Sequence, residues 1–312
     1  MTVAFIFAGQ GAQYLGMGRD LYNQEKLVQE TFDEASDVLR YDIAKLIFIE
    51  EEKLNQTQFT QPAILTLSVA LWRLLNACGF EADVMAGLSL GEYSALVASD
   101  ALAFKEAVSL VNKRARYMAE ATPANVGKMV AVLNANKVLI EEKCQEASIK
   151  GIVSPANYNT PVQIVIGGDS KAVDEAVSLL RQAGVKKMIP LNVSGPFHTS
   201  LLKPAAEKLA KTLKEVSIHE LKVPVISNVT AQVMKRDEVK NLLYKQVMSA
   251  VRFDESIELM KNMGATTFVE LGPGKVLSGF LQKIDKNLVI SRVENCATLK
   301  ETCKLLEVKG KV

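Results

Sequence analysis

The residues of this chain best suited to chemistry are a serine between two glycines, an arginine among apolar residues and two histidines. The serine is Ser89 in GLSLGEYSAL, Gly87–Leu96, which has the Gly-x-Ser-x-Gly pattern of a nucleophile elbow. A serine hydroxyl attacks carbonyl carbon only when a base stands within hydrogen-bond reach. Gly87 and Gly91 let a tight turn close without a Cβ in the way, so the hydroxyl can stand clear of the chain. The alternative is a chance match in a glycine-containing loop. The flanking pattern favours the elbow: Asp83–Ala86 reads as a short strand and Leu90–Ala98 as a helix, the context this motif requires.

The base must be a histidine, and only His198 and His219 are available. His198 lies in NVSGPFHTSLLKP, a loop between a strand and a helix, where functional side chains concentrate. His219, in EVSIHELKVP, has the setting of a solvated or capping residue. His198 is the preferred base. No orienting carboxylate stands out, so a serine–histidine dyad steered by a backbone or amide carbonyl is admissible. An oxyanion needs backbone donors, one from the residue after the nucleophile, Leu90. The second is best supplied at Gln10, in a turn that follows a strand and has glycines on both sides. Nucleotide-binding readings of the glycine turns fail. Tyr14 stands where the dinucleotide fingerprint wants glycine, and Gly272-Pro273-Gly274-Lys275 lacks both the leading glycine and the Ser or Thr of a P-loop.

Arg114 sits on the helix Ala103–Ala121. Residues 103, 107, 110, 111, 117, 118 and 121 share its face at helical spacing and are all apolar. An inward guanidinium costs several kcal/mol of desolvation unless an anion meets it. Two partners satisfy that demand, a buried Asp or Glu or the carboxylate of a substrate held by a bidentate fork.

These residues need a scaffold that brings distant segments to one edge. Val3–Ala8 reads as a buried strand followed by the Gly9–Gly11 turn and a helix. A helix over Gln61–Cys78 stops at Gly79, and Ala103–Ala121 stops at Pro123. The middle changes rhythm: strand Lys128–Leu133, helix Lys137–Ala147, strands Gly151–Ala156 and Val162–Ile166, helix Ala172–Ala183, strand Val185–Leu191. This βαββαβ order predicts a small ferredoxin-like domain, residues 126–194, inserted into a large one of residues 1–125 and 195–312. The chain then offers helix Leu201–Val216, strand Val223–Asn228, helices near Val239–Ser249 and Asp254–Met263, strand Thr267–Leu271 and a last helix after Gly272–Gly274. Alternating strands and helices make the large domain α/β, with a mainly parallel sheet.

Composition narrows the class further. Across 312 residues the formal net charge is +2 and 23% of residues are charged, which gives no basic footprint for nucleic acid. The four cysteines lack C-x-x-C spacing, so neither zinc nor a disulfide framework is expected. The apolar run in MTVAFIFAGQGAQ is too short for a signal peptide, and no segment approaches the ~18 apolar residues of a membrane span. A cytoplasmic monomer without metal or cofactor is the expectation.

GQGAQ, GLSLGEYSAL, NKRARYM, SPANYNTP, VSGPFH and ELGPGKVL occur in this order over nearly the whole chain. Together they resemble the malonyl-CoA:acyl carrier protein transacylases of bacterial fatty-acid synthesis. The acyltransferase domains of polyketide synthases share the core motifs. The resemblance implies an α/β-hydrolase-like large domain, malonyl-CoA and an acyl carrier protein as partners, acylation of Ser89 and base catalysis by His198. It further implies an oxyanion hole from the amides of Gln10 and Leu90. Arg114, rather than Arg116, matches the position that binds the malonyl carboxylate, and a main-chain carbonyl near Gln246 matches the group that orients the histidine. Phe197 resembles the malonyl-selecting pattern. Leu88 departs from the histidine that many relatives carry, which alters a wall of the acyl-CoA entrance and leaves the dyad intact. A polyketide-serving acyltransferase, a serine ester or thioester hydrolase, and a non-catalytic binding protein are the alternatives.

Overall fold

The computed structural model describes residues 2–121, 127–193 and 195–308. The strands are β1 (Thr2–Phe7), β2 (Val84–Gly87), β3 (Gly127–Leu133), β4 (Val153–Thr160), β5 (Gln163–Asp169), β6 (Lys187–Pro190), β7 (Val251–Arg252), β8 (Ala265–Leu271) and β9 (Val289–Val293). They form two sheets in an α/β fold. One is parallel throughout, in the order β2-β1-β8-β9, and the other runs β6-β3-β5-β4-β7.

The parallel sheet follows from the sequence of β1. Its residues are apolar on both sides of the pleat, because helices cover both faces. Val3, Phe5 and Phe7 pack into one core cluster with Leu67 and Leu71 of the helix Thr57–Ala77 and Val111 of the helix Phe104–Ala121. Ala4 and Ile6 point the other way, toward Ile257 and Met260 of Phe253–Asn262 and Phe280 of Val276–Ile284. Register then decides where chemistry can happen. Phe7 pairs with Gly87 on one side and with Leu271 on the other, so β1, β2 and β8 end level. The turns that follow, at Gly9–Gly11, Leu88–Leu90 and Gly272–Gly274, therefore open at one carboxyl-terminal edge. This is where parallel sheets carry their ligand sites.

Within the second sheet, β3, β4, β5 and β6 pair antiparallel, and β7 joins β4 in parallel. The helices Lys137–Ala147 and Ser170–Gln182 cover the face that Val130, Val132, Ile164 and Ile166 present. Met129, Ala131 and Val165 face the other way and join the large core. That inner face lies over the carboxyl edge of the parallel sheet.

Four expectations change. Val223–Asn228 is not a strand: it makes only isolated bridges, Met85 to Val225 and Ile226 to Val233, because the chain folds back at once, with Ala231 at φ +51°. The chain does not end in the helix Val276–Ile284, since β9 and the helix Cys296–Val308 follow. VISRV is an edge strand with only its last residue buried, so its apolar pattern is weak. Four helices, not one, fill Arg19–Leu54. Finally β4 does not stop at Ala156 but continues to Thr160 through two register shifts, which absorb the missing donor of Pro155. That continuation carries Asn157 and Asn159 to the inner face. Pro123 and the boundary at 125/126 lie outside the described residues, as does Ser194 beside the other boundary. Among the described residues no helix is long and apolar enough to cross a membrane.

The elbow depends on absent side-chain atoms. A Cβ on Gly87 would stand 1.9 Å from the Gly91 carbonyl carbon, and one on Gly91 would stand 2.1 Å from the Phe7 oxygen. Gly279, by contrast, is helical and faces open space. Gly91→Ala should lose about 3 kcal/mol or more in urea denaturation, at or above the usual range for overpacking. Gly279→Ala should gain about 0.4–1 kcal/mol in the same measurement.

Candidate active site

Ser89 follows β2 directly and has φ +52°, the left-handed backbone of a nucleophile elbow. Its Oγ lies 2.7 Å from His198 Nε2. The other imidazole nitrogen, Nδ1, lies 2.8 Å from the main-chain oxygen of Gln246. A carbonyl can only accept, so Nδ1 holds the proton and Nε2 presents its lone pair to the serine. The loop after β6 thus delivers His198, whose own φ is +61°, and the end of the helix Val239–Gln246 delivers the carbonyl that orients it. His219 is exposed and donates its backbone N–H to Ala101 O, away from this cluster.

Arg114 is 1% exposed and reaches the same atoms from the helix Phe104–Ala121. One terminal nitrogen donates to Ser89 Oγ at 3.1 Å and to Gln246 Oε1 at 3.0 Å, and the other to Gln61 Oε1 at 2.6 Å. No carboxylate oxygen of the described residues lies within ion-pair distance, and its Nε–H has no acceptor. Of the two partners open to a buried guanidinium, the protein supplies no contacting one. The Tyr93 ring lies 5.3 Å from the guanidinium carbon and offers its face instead.

The Gln10 turn closes the other side. Gly9 touches the elbow: a Cβ there would meet the Leu88 oxygen at 2.4 Å. The N–H groups of Gln10 and Leu90 donate to no acceptor among the described residues. Ser89 N–H is not free, since it donates to Asn228 Oδ1 at 2.7 Å. A cavity of about 330 Å³ opens over these groups. The elbow and the Gln10 turn border it, the inner face of the second sheet contributes Met129, Asn157 and Asn159, and Leu88, Val276 and Phe280 form an apolar wall. No group of metal-binding side chains occurs among the described residues.

Compared with known families, residues 4–302 match the acyl transferase domain model. The chain belongs to the acyl transferase family. It is 44% identical over 308 residues, 98% of this chain and 97% of the relative, to the malonyl CoA-acyl carrier protein transacylase of Bacillus subtilis. The crystal structure of MCAT from Streptococcus pneumoniae superposes with a TM-score of 0.96 at 58% identity, covering 98% of this chain and 100% of that one. A second structure, a malonyl-transacylase in complex with its type II polyketide acyl-carrier protein, superposes with a TM-score of 0.95 at 39% identity, covering 98% of this chain and 100% of that one.

Electrostatics in this acyl transferase suit a neutral base. Burial and the Arg114 charge push the His198 pKa down to about 4, against the opposing pull of the Gln246 and Ser249 backbone bonds. The ring is therefore uncharged and ready to accept a proton at neutral pH. Burial also lowers the Arg114 pKa, and raises that of Glu92, fully buried behind the elbow, to about 7. Sequence reasoning left out Gln61, the Gln246 side chain, Asn228 and Glu92. Gln61 links Arg114 to the Gln10 side chain, and Gln246 Nε2 donates to the Ser89 oxygen at 2.9 Å. A buried amide at helical spacing looks in sequence like any polar residue, so only GLSLGE itself carried a signal, for Glu92.

With only two histidines, NMR can follow His198 directly. Its resonances should report a neutral ring until pH nears about 4, and Arg114→Gln should raise that pKa by removing the neighbouring charge. The stability side has the matching sign. A histidine whose folded pKa is depressed contributes stability that is complete above its unfolded value and is lost as pH falls toward about 4.

Proposed function

We propose that this chain moves a malonyl group from malonyl-CoA to the pantetheine thiol of an acyl carrier protein through a malonyl ester on Ser89. The observation that carries this reading is the buried guanidinium of Arg114, without a carboxylate of the described residues within ion-pair distance, bonded to the same Ser89 hydroxyl that His198 contacts. A generic ester hydrolase has no use for a fixed cation there. A substrate with a free carboxylate beside its thioester supplies the missing anion.

The steps follow from the contacts. Ser89 Oγ attacks the thioester carbon while its proton passes to His198 Nε2. The imidazolium that forms is held by the Gln246 carbonyl through Nδ1–H. The Leu90 and Gln10 amides, which have no partner within the described residues, receive the oxyanion. As the carbon–sulfur bond breaks, His198 returns the proton to the CoA sulfur, leaving malonyl-Ser89. The carrier thiol then attacks the ester, gives its proton to His198, and Ser89 regains one as the new thioester leaves. Each half-reaction balances with the chain and its two thiols alone.

We also propose that an α/β-hydrolase-like domain, residues 1–125 and 195–312, carries a ferredoxin-like insertion at 126–194. The strand order β6-β3-β5-β4, with two helices on one face, supports the insertion. The carrier-protein complex formed by a relative of the same fold supports an acyl carrier protein as acceptor.

Intact mass measurement after malonyl-CoA addition should show one malonyl adduct, mapped to Ser89 and absent from Ser89→Ala. An adduct on another residue would overturn the assignment. Arg114→Ala should lower kcat/KM for malonyl-CoA about 100-fold, the worth of one or two charged hydrogen bonds at ~1.5–3 kcal/mol each. Any transfer from acetyl-CoA, which carries no free carboxylate, should change far less, and equal losses would make Arg114 structural.

A further inference from the structure

Ser89 holds an unfavourable backbone, and something must keep it there. A non-glycine residue in the left-handed region costs roughly 1–2 kcal/mol. The Cβ-free approaches at Gly87 and Gly91 permit that conformation but do not enforce it. Asn228 grips both sides of it. Its Oδ1 accepts from Ser89 N–H at 2.7 Å, and its Nδ2 donates to the Gly87 oxygen at 2.7 Å. One side-chain amide therefore pairs with Gly87 and with Ser89 two residues on, as a neighbouring strand would.

Asn228 is itself held. Its backbone N–H donates to Glu92 Oε2 at 2.7 Å, and its carbonyl accepts from Arg252 N–H at 2.9 Å. Glu92 N–H in turn donates to the Ser89 oxygen at 3.1 Å. Ser89, Asn228 and Glu92 thus close a ring of three hydrogen bonds. Asn228 and Glu92 are 0% exposed, far from any competing water. The loop that brings Asn228 is tied to β2 by Met85 N–H to the Pro224 oxygen and Ile226 N–H to the Met85 oxygen, both 2.8–2.9 Å. The ring also occupies the Ser89 amide, which leaves the Leu90 amide as the elbow's one open donor.

We propose that Asn228 is a positioning residue for the nucleophile: its amide clamps Gly87 and Ser89 so that Oγ stays between His198 and Arg114, and Glu92 holds it as a hydrogen-bond acceptor. Neither residue touches the reacting atoms. The inference rests on Ser89 being the nucleophile proposed above, and its test is separable from the choice of substrate.

A fluorophosphonate probe reports the reactivity of Ser89 alone. An oxygen–phosphorus bond forms, fluoride leaves, and the serine proton goes to His198. Rates should be measured on folded protein well below the melting temperature, beside single-turnover malonylation. Asn228→Ala should be labelled about 100-fold more slowly, the cost of roughly 1 Å of misplacement, with half-saturating malonyl-CoA unchanged. Asn228→Asp keeps the acceptor and shape but not the donor to Gly87, so its rate should fall between the two, which serves should the alanine variant not fold. Glu92→Gln retains an acceptor for the Asn228 amide and should stay near wild type, whereas Glu92→Leu should slow. A folded Asn228 variant labelled at the wild-type rate would overturn the clamp, and equal losses in the two Glu92 variants would overturn the acceptor role. Wild-type protein that takes the probe on Ser89 but no malonyl group would refute the substrate while leaving the clamp standing.

Discussion

Everything in this site depends on how closely the elbow approaches the strand beside it. The turn after β2 is pressed against the end of β1, where Gly91 lies against the Phe7 carbonyl and Gly9 against the carbonyl of Leu88. No side chain larger than hydrogen fits at those points. The gain is geometric. The start of the helix Gly91–Ala98 and the Gln10 turn are thereby brought side by side at one edge of the sheet. The strain of a left-handed serine follows from the same closeness, and hydrogen bonds from a distant loop hold it.

The second organising fact is a fixed positive charge with no contacting negative one. Arg114 shares two amide oxygens and a serine hydroxyl, all neutral acceptors, in a setting nearly closed to water. Neutral dipoles satisfy the geometry of its N–H groups but do not cancel the charge. The charge that remains does two things. It adds to burial in keeping His198 unprotonated at neutral pH, and it makes the surroundings favourable for a negative group. Gln246 ties the histidine and the arginine together by giving its carbonyl to His198 and its side-chain amide to Arg114 and Ser89.

The second sheet supplies enclosure. Its inner face carries Met129, Asn157 and Asn159 over the elbow, and Leu88 joins Val276 and Phe280 in the facing wall. A thiol ester that must be passed to a second thiol rather than to water needs such a roof. The leucine at position 88 belongs to this wall and takes no part in the hydrogen bonds of His198 with Ser89 and Gln246, so its departure from the usual histidine leaves those bonds as they are.

The sequence by itself determined the local parts. Gly-x-Ser-x-Gly between a strand and a helix, an arginine on an apolar stripe and a histidine at a loop-to-helix entry are short-range patterns, and each follows from backbone sterics or helical spacing within a dozen residues. The alternation of strands and helices likewise specified an α/β chain. What lay beyond it were the edge strand β9, with only its last residue buried, the continuation of β4 past Ala156, and the fold-back that leaves Val223–Asn228 with isolated bridges only. Only the tertiary structure decided the rest of the site. Asn228 meets Ser89 across 139 residues of chain and Gln246 meets it across 157, and nothing in their own neighbourhoods marks them. Their roles come from hydrogen bonds made after burial, where an unpaired polar atom is costly and a paired one is held in place. Such partners are chosen by the packing of distant elements, and packing is a property of the whole fold.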